Sequence, residues 1–497
     1  MADFSAGDLR WSDDSLWMQF ERLTLDDQTA AALIDCDDRC WTRAELLDRG
    51  RIVAAQLREA GVGAGSRVLV AGHKRAGTLA TALAVSSLGA TFCPYSSKLT
   101  TADRAVLEAR LSHAAHAQAG SNDSVTVEPA SGTVGGTAVR NDVALIGFTS
   151  GSTGVPKGVM HGRAALNYAT RACAAIAELQ PGDAILGIVP LDSAPGYTFT
   201  AHFALSLGHP LVMIDPWEPC AAMDRAVKYK GGWAIMVPTH LFTMVEAART
   251  GAWSGRLPLR ACAVGGSAMT PELIADADRL LGLKALRMFG MSECMGHSSA
   301  RLGDPLDLRQ NYDGIPFPGT QEEAFDANEQ PLPRGVRGQA GVRGPSLFLG
   351  YADGLGAGQE RLTADGFYLT GDEITRDAEG FVKVVGRIKD QIIRGGFNID
   401  PAEIEAALLR HPAIAEVAVV GVPERKLGEQ ACAVCRIRDG ADPVTFDQVI
   451  AHLQAEGLSR KKWPEHLLLV DRMVVGATGK LDKKAMAAHA ISTLVPA

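Results

Sequence analysis

Short apolar runs alternate along the chain with longer amphipathic stretches, separated by polar or glycine-containing turns. Val68-Leu-Val-Ala-Gly-His73 predicts a strand, Ala76–Ser87 a helix and Thr91–Tyr95 a second strand. The rhythm recurs at Ala184–Pro190, Pro210–Ile214, Trp233–Pro238 and Ala261–Val264. Such alternation predicts an α/β architecture with mostly parallel sheets. Residues 119–141, rich in Gly, Ser and Thr, and residues 352–359, with three glycines, read as surface loops. After Gly386 the texture changes. One helical signal spans Pro401–Arg410, with Asp400 as its cap, and strands are expected at Ile414–Val420 and Cys432–Ile437. The expected division is residues 1–386 and 387–497.

Composition narrows the class. With 497 residues and 46% hydrophobic side chains, the chain has the make-up of a core-forming protein of more than one domain. The net charge of −8 argues against a nucleic-acid partner. Residues 387–497 hold 15 basic and 14 acidic side chains, or +1, which leaves −9 for the rest. The basic groups at Arg460-Lys461-Lys462 and Lys480–Lys484 fit a solvated face or contact with phosphates. The acidic N-terminus does not read as a signal peptide. The most apolar stretch, Ala76–Tyr95, is broken by Thr, Ser and Gly, so a buried helix running into a strand is expected, not a membrane span. Nine scattered cysteines, including Cys432-Ala-Val-Cys435 inside an alternating run, read as reduced packing residues. A cytoplasmic location follows as the default expectation.

The strongest chemical signal is Phe148-Thr-Ser-Gly-Ser-Thr-Gly-Val-Pro-Lys-Gly-Val-Met160, fed by an apolar strand over Val143–Ile146. Glycine amides close around phosphate oxygens, hydroxyls donate to them or reach a magnesium ion, and a lysine adds charge. Pro156 before Lys157 and Gly158 after it exclude the P-loop pattern of G-x4-G-K-[ST].

This segment resembles the phosphate loop of the adenylate-forming superfamily: acyl-CoA synthetases, peptide-synthetase adenylation domains and luciferases. Further segments match in order along the chain, together covering it from about residue 30 to residue 486. The resemblance implies that Thr149, Ser150, Gly151, Ser152, Thr153, Gly154 and Lys157 hold ATP phosphates. Phe289-Gly290-Met291-Ser292-Glu293 would supply an adenine platform, a phosphate donor in Ser292 and a Mg²⁺ ligand in Glu293, with Thr149 as a second oxygen donor. Gly265-Gly266-Ser267 would pass along the adenine edge. Tyr368-Leu-Thr-Gly-Asp372 and Gly386-Arg387 would contact the ribose, chiefly through Asp372 and Arg387. Lys389 would be a hinge, Gly395-Gly396 would line a tunnel for a thiol arm, and Lys480 would be the C-terminal catalytic lysine. Around Lys480 the family usually carries Pro and Thr where this chain has Val474 and Gly476.

The implied fold has a large N-terminal domain of mostly parallel sheets flanked by helices, a β-barrel-like subdomain and a small mobile α+β C-terminal domain. The implied reaction activates a small carboxylic acid with ATP to an acyl-adenylate, releases pyrophosphate, then passes the acyl group to a thiol. The expected acceptor is CoA. The alternative is a free-standing adenylation enzyme that loads an amino or aryl acid onto the phosphopantetheine of a carrier protein. A non-catalytic nucleotide-binding protein would be expected to have lost Lys157, Glu293, Asp372 or Lys480. No motif encodes a luciferase oxygenation step. Expected to shape the acid pocket are Asp192, Ser193, Gly196, His240, Ser267 and Met295, with Phe199, Phe203, Met236, Met291 and His297 making it short. No membrane or nucleic-acid partner is expected, and the assembly would be a monomer or homodimer.

Overall fold

The computed structural model describes residues 9–120, 123–130, 141–149, 157–266, 269–352, 361–394, 397–424, 428–476 and 481–494. Two large sheets dominate the first 316 residues. The nine-stranded one runs, edge to edge, Ile315–Pro316, Cys294–Ser299, Ala285–Met291, Ala261–Val264, Gly231–Met236, Ala184–Gly187, Leu211–Met213, Ala31–Ile34 and Cys40–Thr42. Its interior pairings are parallel, and antiparallel strands close both ends. The six-stranded sheet has the order Val125–Pro129, Ala115–Ala119, Arg67–Ala71, Thr91–Tyr95, Val143–Thr149, Lys157–Gly162, again parallel inside and antiparallel at the edges.

Helix Ala76–Ser87 explains the apolar stretch of the sequence. Its first ten residues are all buried, and Ala, Gly and Thr on every face let neighbours approach closely. That all-round apolarity belongs to a core helix. Among the described residues no helix is long and apolar enough to cross a membrane. The stretch 119–141 is not wholly a loop: Val125-Thr-Val-Glu-Pro129 pairs antiparallel with Ala115–Ala119. Its alternation is short and half-exposed, so the surrounding Gly and Ser outweigh it on reading.

A four-stranded antiparallel sheet follows, ordered Gln321–Phe325, Gly338–Arg343, Tyr368–Arg376, Val382–Arg387. Beyond the turn Ile388–Asp390 a further sheet of five strands carries helices Pro401–Leu408, Phe446–Ala455 and Lys483–Leu494. Only the first of these helices is evident from sequence. The second is fixed by a capping box between Thr445 and Gln448. Cys432 and Cys435, three apart on one strand, face opposite packing layers of this sheet, and burial pushes both thiols up to about 12. They are packing residues in a strand.

Candidate active site

Two antiparallel hairpins bring the strongest motifs together. Val143–Thr149 and Lys157–Gly162 pair so that Thr149 lies directly opposite Lys157. Ala285–Met291 and Cys294–Ser299 pair with Met291 opposite Cys294, which leaves Ser292 and Glu293 as a two-residue tip. A strap at residues 347–352 joins the hairpins. Its backbone donates from Phe348 N to Glu293 O at 2.8 Å and from Ala352 N to Gly158 O at 2.7 Å, and accepts at Gly350 O from Met160 N at 3.0 Å. Tyr351 completes the join: its hydroxyl donates to Glu293 Oε1 at 2.6 Å, and Lys157 Nζ stands 4.9 Å from its ring centroid. Burial, then the Glu293 carboxylate, raises the phenol far above its usual range, so Tyr351 stays a donor.

A cavity of about 1640 Å³ opens between these sheets and the C-terminal segment. Thr149, Asp192, Gly265, Gly266, Phe289, Gly290, Asp372 and Arg387 line it, and Glu405, Arg438 and Lys483 face it from the C-terminal side. Gly265 lies where a Cβ would stand 2.4 Å from Met288 O, so the strands approach closely only because no side chain is present. Phe289 rests edge-on against buried His297, with centroids 4.6 Å apart at 71°. Burial acts to lower the His297 imidazole, but Cys294 and Glu322, whose Oε1 lies 3.8 Å from Nδ1, overcome it and raise it. Asp372 and Arg387 are cross-strand partners, with Arg387 Nε donating to Asp372 Oδ1 at 2.7 Å. Asp372 is buried and Arg387 exposed, so the pair presents a fixed carboxylate with a reachable guanidinium beside it.

The residues expected at the acid lie in several places. Of those residues only Asp192 lines the cavity among the described ones. Burial raises its carboxyl and a hydrogen bond from Ser96 opposes this. Ser193 instead accepts from Gly196 N at 3.1 Å to start a helical turn, and a Cβ on Gly196 would meet Pro190 O at 2.0 Å. His240 packs on Trp217 at 4.5 Å. Met295, Phe199, Phe203 and Met236 lie in the core, and His297 sits behind Phe289. Met291 packs beside Tyr368 and Leu347. Lys389 falls in the turn Ile388–Asp390. Ser150, Gly151, Ser152, Thr153, Gly154, Ser267, Gly395, Gly396 and Lys480 lie outside the described residues.

Tyr351 and His161 carry no signal in the sequence. His161, fully buried, has Nε2 2.7 Å from Ser292 O. Neither residue belongs to a short motif, and both act on groups far away in the chain.

The AMP-binding enzyme family model matches residues 21–115 and 107–352, and that of the AMP-binding enzyme C-terminal domain matches 403–480. A sulfoacetate–CoA ligase of Cupriavidus necator is 31% identical over 70% of this chain and 67% of its own length. A medium-chain fatty-acid–CoA ligase of Escherichia coli is 28% identical over 69% of this chain. Enterobactin synthase component E of the same organism is 30% identical over 70%. The chain spans 60% and 64% of the lengths of these last two relatives. Among solved structures, ATP-bound MatB from Rhodopseudomonas palustris shares the fold with a TM-score of 0.83 at 24% identity, covering 96% of this chain and 99% of that one.

Proposed function

Because the chain belongs to the AMP-binding enzyme family of adenylate-forming proteins, we propose that it activates a small carboxylic acid with ATP and transfers the acyl group to a thiol, with CoA as the acceptor. A carboxylate is a poor acyl donor because its leaving group would be an oxide. Attack of a carboxylate oxygen on the α-phosphorus of ATP makes a mixed anhydride and expels pyrophosphate. A thiolate then attacks the acyl carbon and AMP leaves. The observation that carries this reading is the joining of Lys157, Thr149 and Glu293 through one strap, beside a cavity that also holds the Asp372–Arg387 pair.

In this reading Asp372 accepts from ribose hydroxyls, Phe289 offers a flat face to adenine, and Lys157 approaches the phosphates. The Glu293 carboxylate, with Oε1 accepting from Tyr351, keeps further lone pairs that fit Mg²⁺, which retains most of its shell as water and substrate phosphate. Mg²⁺ on Glu293 and Thr149 would offset triphosphate charge. Lys480, carried by the C-terminal segment, would neutralise charge at the α-phosphate during the first step. Residues 1–386 and 387–497 form the proposed domains, with Lys389 as hinge. The abrupt turn Ile388–Asp390 between two sheets supports that division. Asp192 in the cavity favours an acid with a hydroxyl or amine over a long alkyl chain.

Acid-dependent exchange of labelled pyrophosphate into ATP, run over a panel that includes hydroxybenzoic and β-amino acids, tests the first step. Exchange with at least one acid is expected, and none with any would overturn the proposal. CoA and a phosphopantetheinylated carrier, offered side by side, decide the acceptor.

A further inference from the structure

Among the described residues, three hydrogen bonds from outside its own hairpin hold the Ser292–Glu293 tip. Phe348 N and the Tyr351 hydroxyl, both on the strap, serve Glu293. The third comes from a different element. His161, on the strand that begins with Lys157, has its Nε2 2.7 Å from the carbonyl oxygen of Ser292. A carbonyl only accepts, so Nε2 carries the proton and Nδ1 is bare. That Nδ1 is buried without a partner among the described residues. Burial pushes the imidazole down to about 4, which leaves it neutral, with a single N–H to give.

This arrangement is a poor packing solution. A buried nitrogen with no partner carries a desolvation cost that a leucine in the same space would avoid. What the imidazole provides instead is a directed donor. Residues four apart on a strand point the same way, so Lys157 and His161 share one face about 13 Å apart. The strand between them is hydrogen-bonded on both sides, to Val143–Thr149 and to the strap. It therefore behaves as a rigid bar, with the phosphate-directed lysine at one end and a grip on the opposite hairpin further along.

We propose that His161 is a positioning residue that fixes the Ser292–Glu293 tip relative to Lys157 through its bond to the Ser292 carbonyl. The inference rests on the reading of Glu293 as the Mg²⁺ ligand and of Lys157 as a phosphate contact.

Three variants of the full chain separate direction from bulk. His161→Leu fills the space without a donor, His161→Gln places an amide N–H near the Nε2 position, and His161→Asn is too short to reach. Hydrogen–deuterium exchange of the hairpin 288–299 needs no nucleotide. About tenfold faster exchange at the tip is expected in the Leu and Asn variants, with the Gln variant within about threefold of wild type. Thermal midpoints of the Leu variant should be unchanged or higher. Calorimetry with a non-hydrolysable ATP analogue should show affinity about tenfold weaker in the Leu variant with Mg²⁺ present, and unchanged within about twofold without it. Tip exchange in His161→Leu equal to wild type would overturn the inference. So would parallel losses in the Leu and Gln variants accompanied by a lower midpoint, which is the signature of packing alone. Wild-type protein that binds no nucleotide would overturn the proposed function, and the exchange experiment would still decide what His161 does.

Discussion

Tyr351 touches both charges on which the proposed chemistry depends, donating to Glu293 and lying beneath Lys157. Tyr351→Phe keeps the ring and removes one hydrogen bond to a carboxylate, a contact typically worth about 1.5–3 kcal/mol. Acyl-adenylate formation should fall about 10–100-fold, read as acid-dependent pyrophosphate release, and a rate equal to wild type would remove the residue from the mechanism. Asp372→Asn leaves Arg387 facing a neutral amide and weakens acceptance from the ribose, so the KM for ATP should rise about tenfold with a smaller change in kcat. Steady-state kinetics at saturating acid check this. At this scale the sequence was legible wherever chemistry demands particular residue types at short spacing, as in Phe289–Glu293 and Tyr368–Asp372. It was opaque where a residue works across the chain, as Tyr351 and His161 do. Proximity to a motif, as for Met295 and His240, does not tell which face of an element a side chain takes.

Elements were more legible than their contacts. The helix Ala76–Ser87 and the strands Thr91–Tyr95 and Ala261–Val264 fall where the pattern places them, because long apolar runs with clear stops admit few alternatives. The strap 347–352 has no periodicity of its own; its order comes from two hairpins that are remote in sequence. Close strand approach also leaves its trace in glycine. In Gly265→Ala the new Cβ would have to move away from Met288 O, which displaces neighbouring parallel strands. Overpacking of this kind costs about 1–3 kcal/mol. A lower denaturant midpoint and weakened AMP binding are expected together, measured by urea unfolding and calorimetry. Stability and affinity both matching wild type would show that the strands yield without cost.

Across the whole molecule, protonation and the proposed domain movement each make a prediction. Burial lowers His161 to about 4, His202 to about 3 and, with a contribution from Lys74, His240 to about 4. Unfolded histidine titrates near 6.5, so between about pH 6.5 and 4 the unfolded chain binds more protons than the folded one. Stability from these three groups is complete above 6.5 and is lost as pH falls through that window. His297, raised when folded, acts oppositely: its contribution is present below 6.5 and fades as pH rises. Thermal midpoints should therefore drop steeply from pH 7 to pH 5, and a flat profile there would contradict the burial of these rings. Arg438 lies over Phe242 at 5.3 Å and 3.7 Å from Glu246, which ties the C-terminal segment to helix Pro238–Arg249 in this arrangement. If one face of that segment serves adenylation and another serves thiol transfer, Lys480→Ala should abolish adenylate formation yet spare thioester formation from supplied acyl-adenylate. Lys389→Pro should impair the second step. Equal losses in both half-reactions would argue against alternation. The strap also orders how the site is made during synthesis. Lys157 and the Glu293 tip are translated well before residues 347–352, which join them. At about 5–20 residues per second, roughly 10–40 s separate the synthesis of Lys157 from that of Ala352. A ribosome-bound chain halted at residue 346 would carry both charges without the strap that joins them, so nucleotide capture by stalled nascent chains should begin only once residue 352 has emerged.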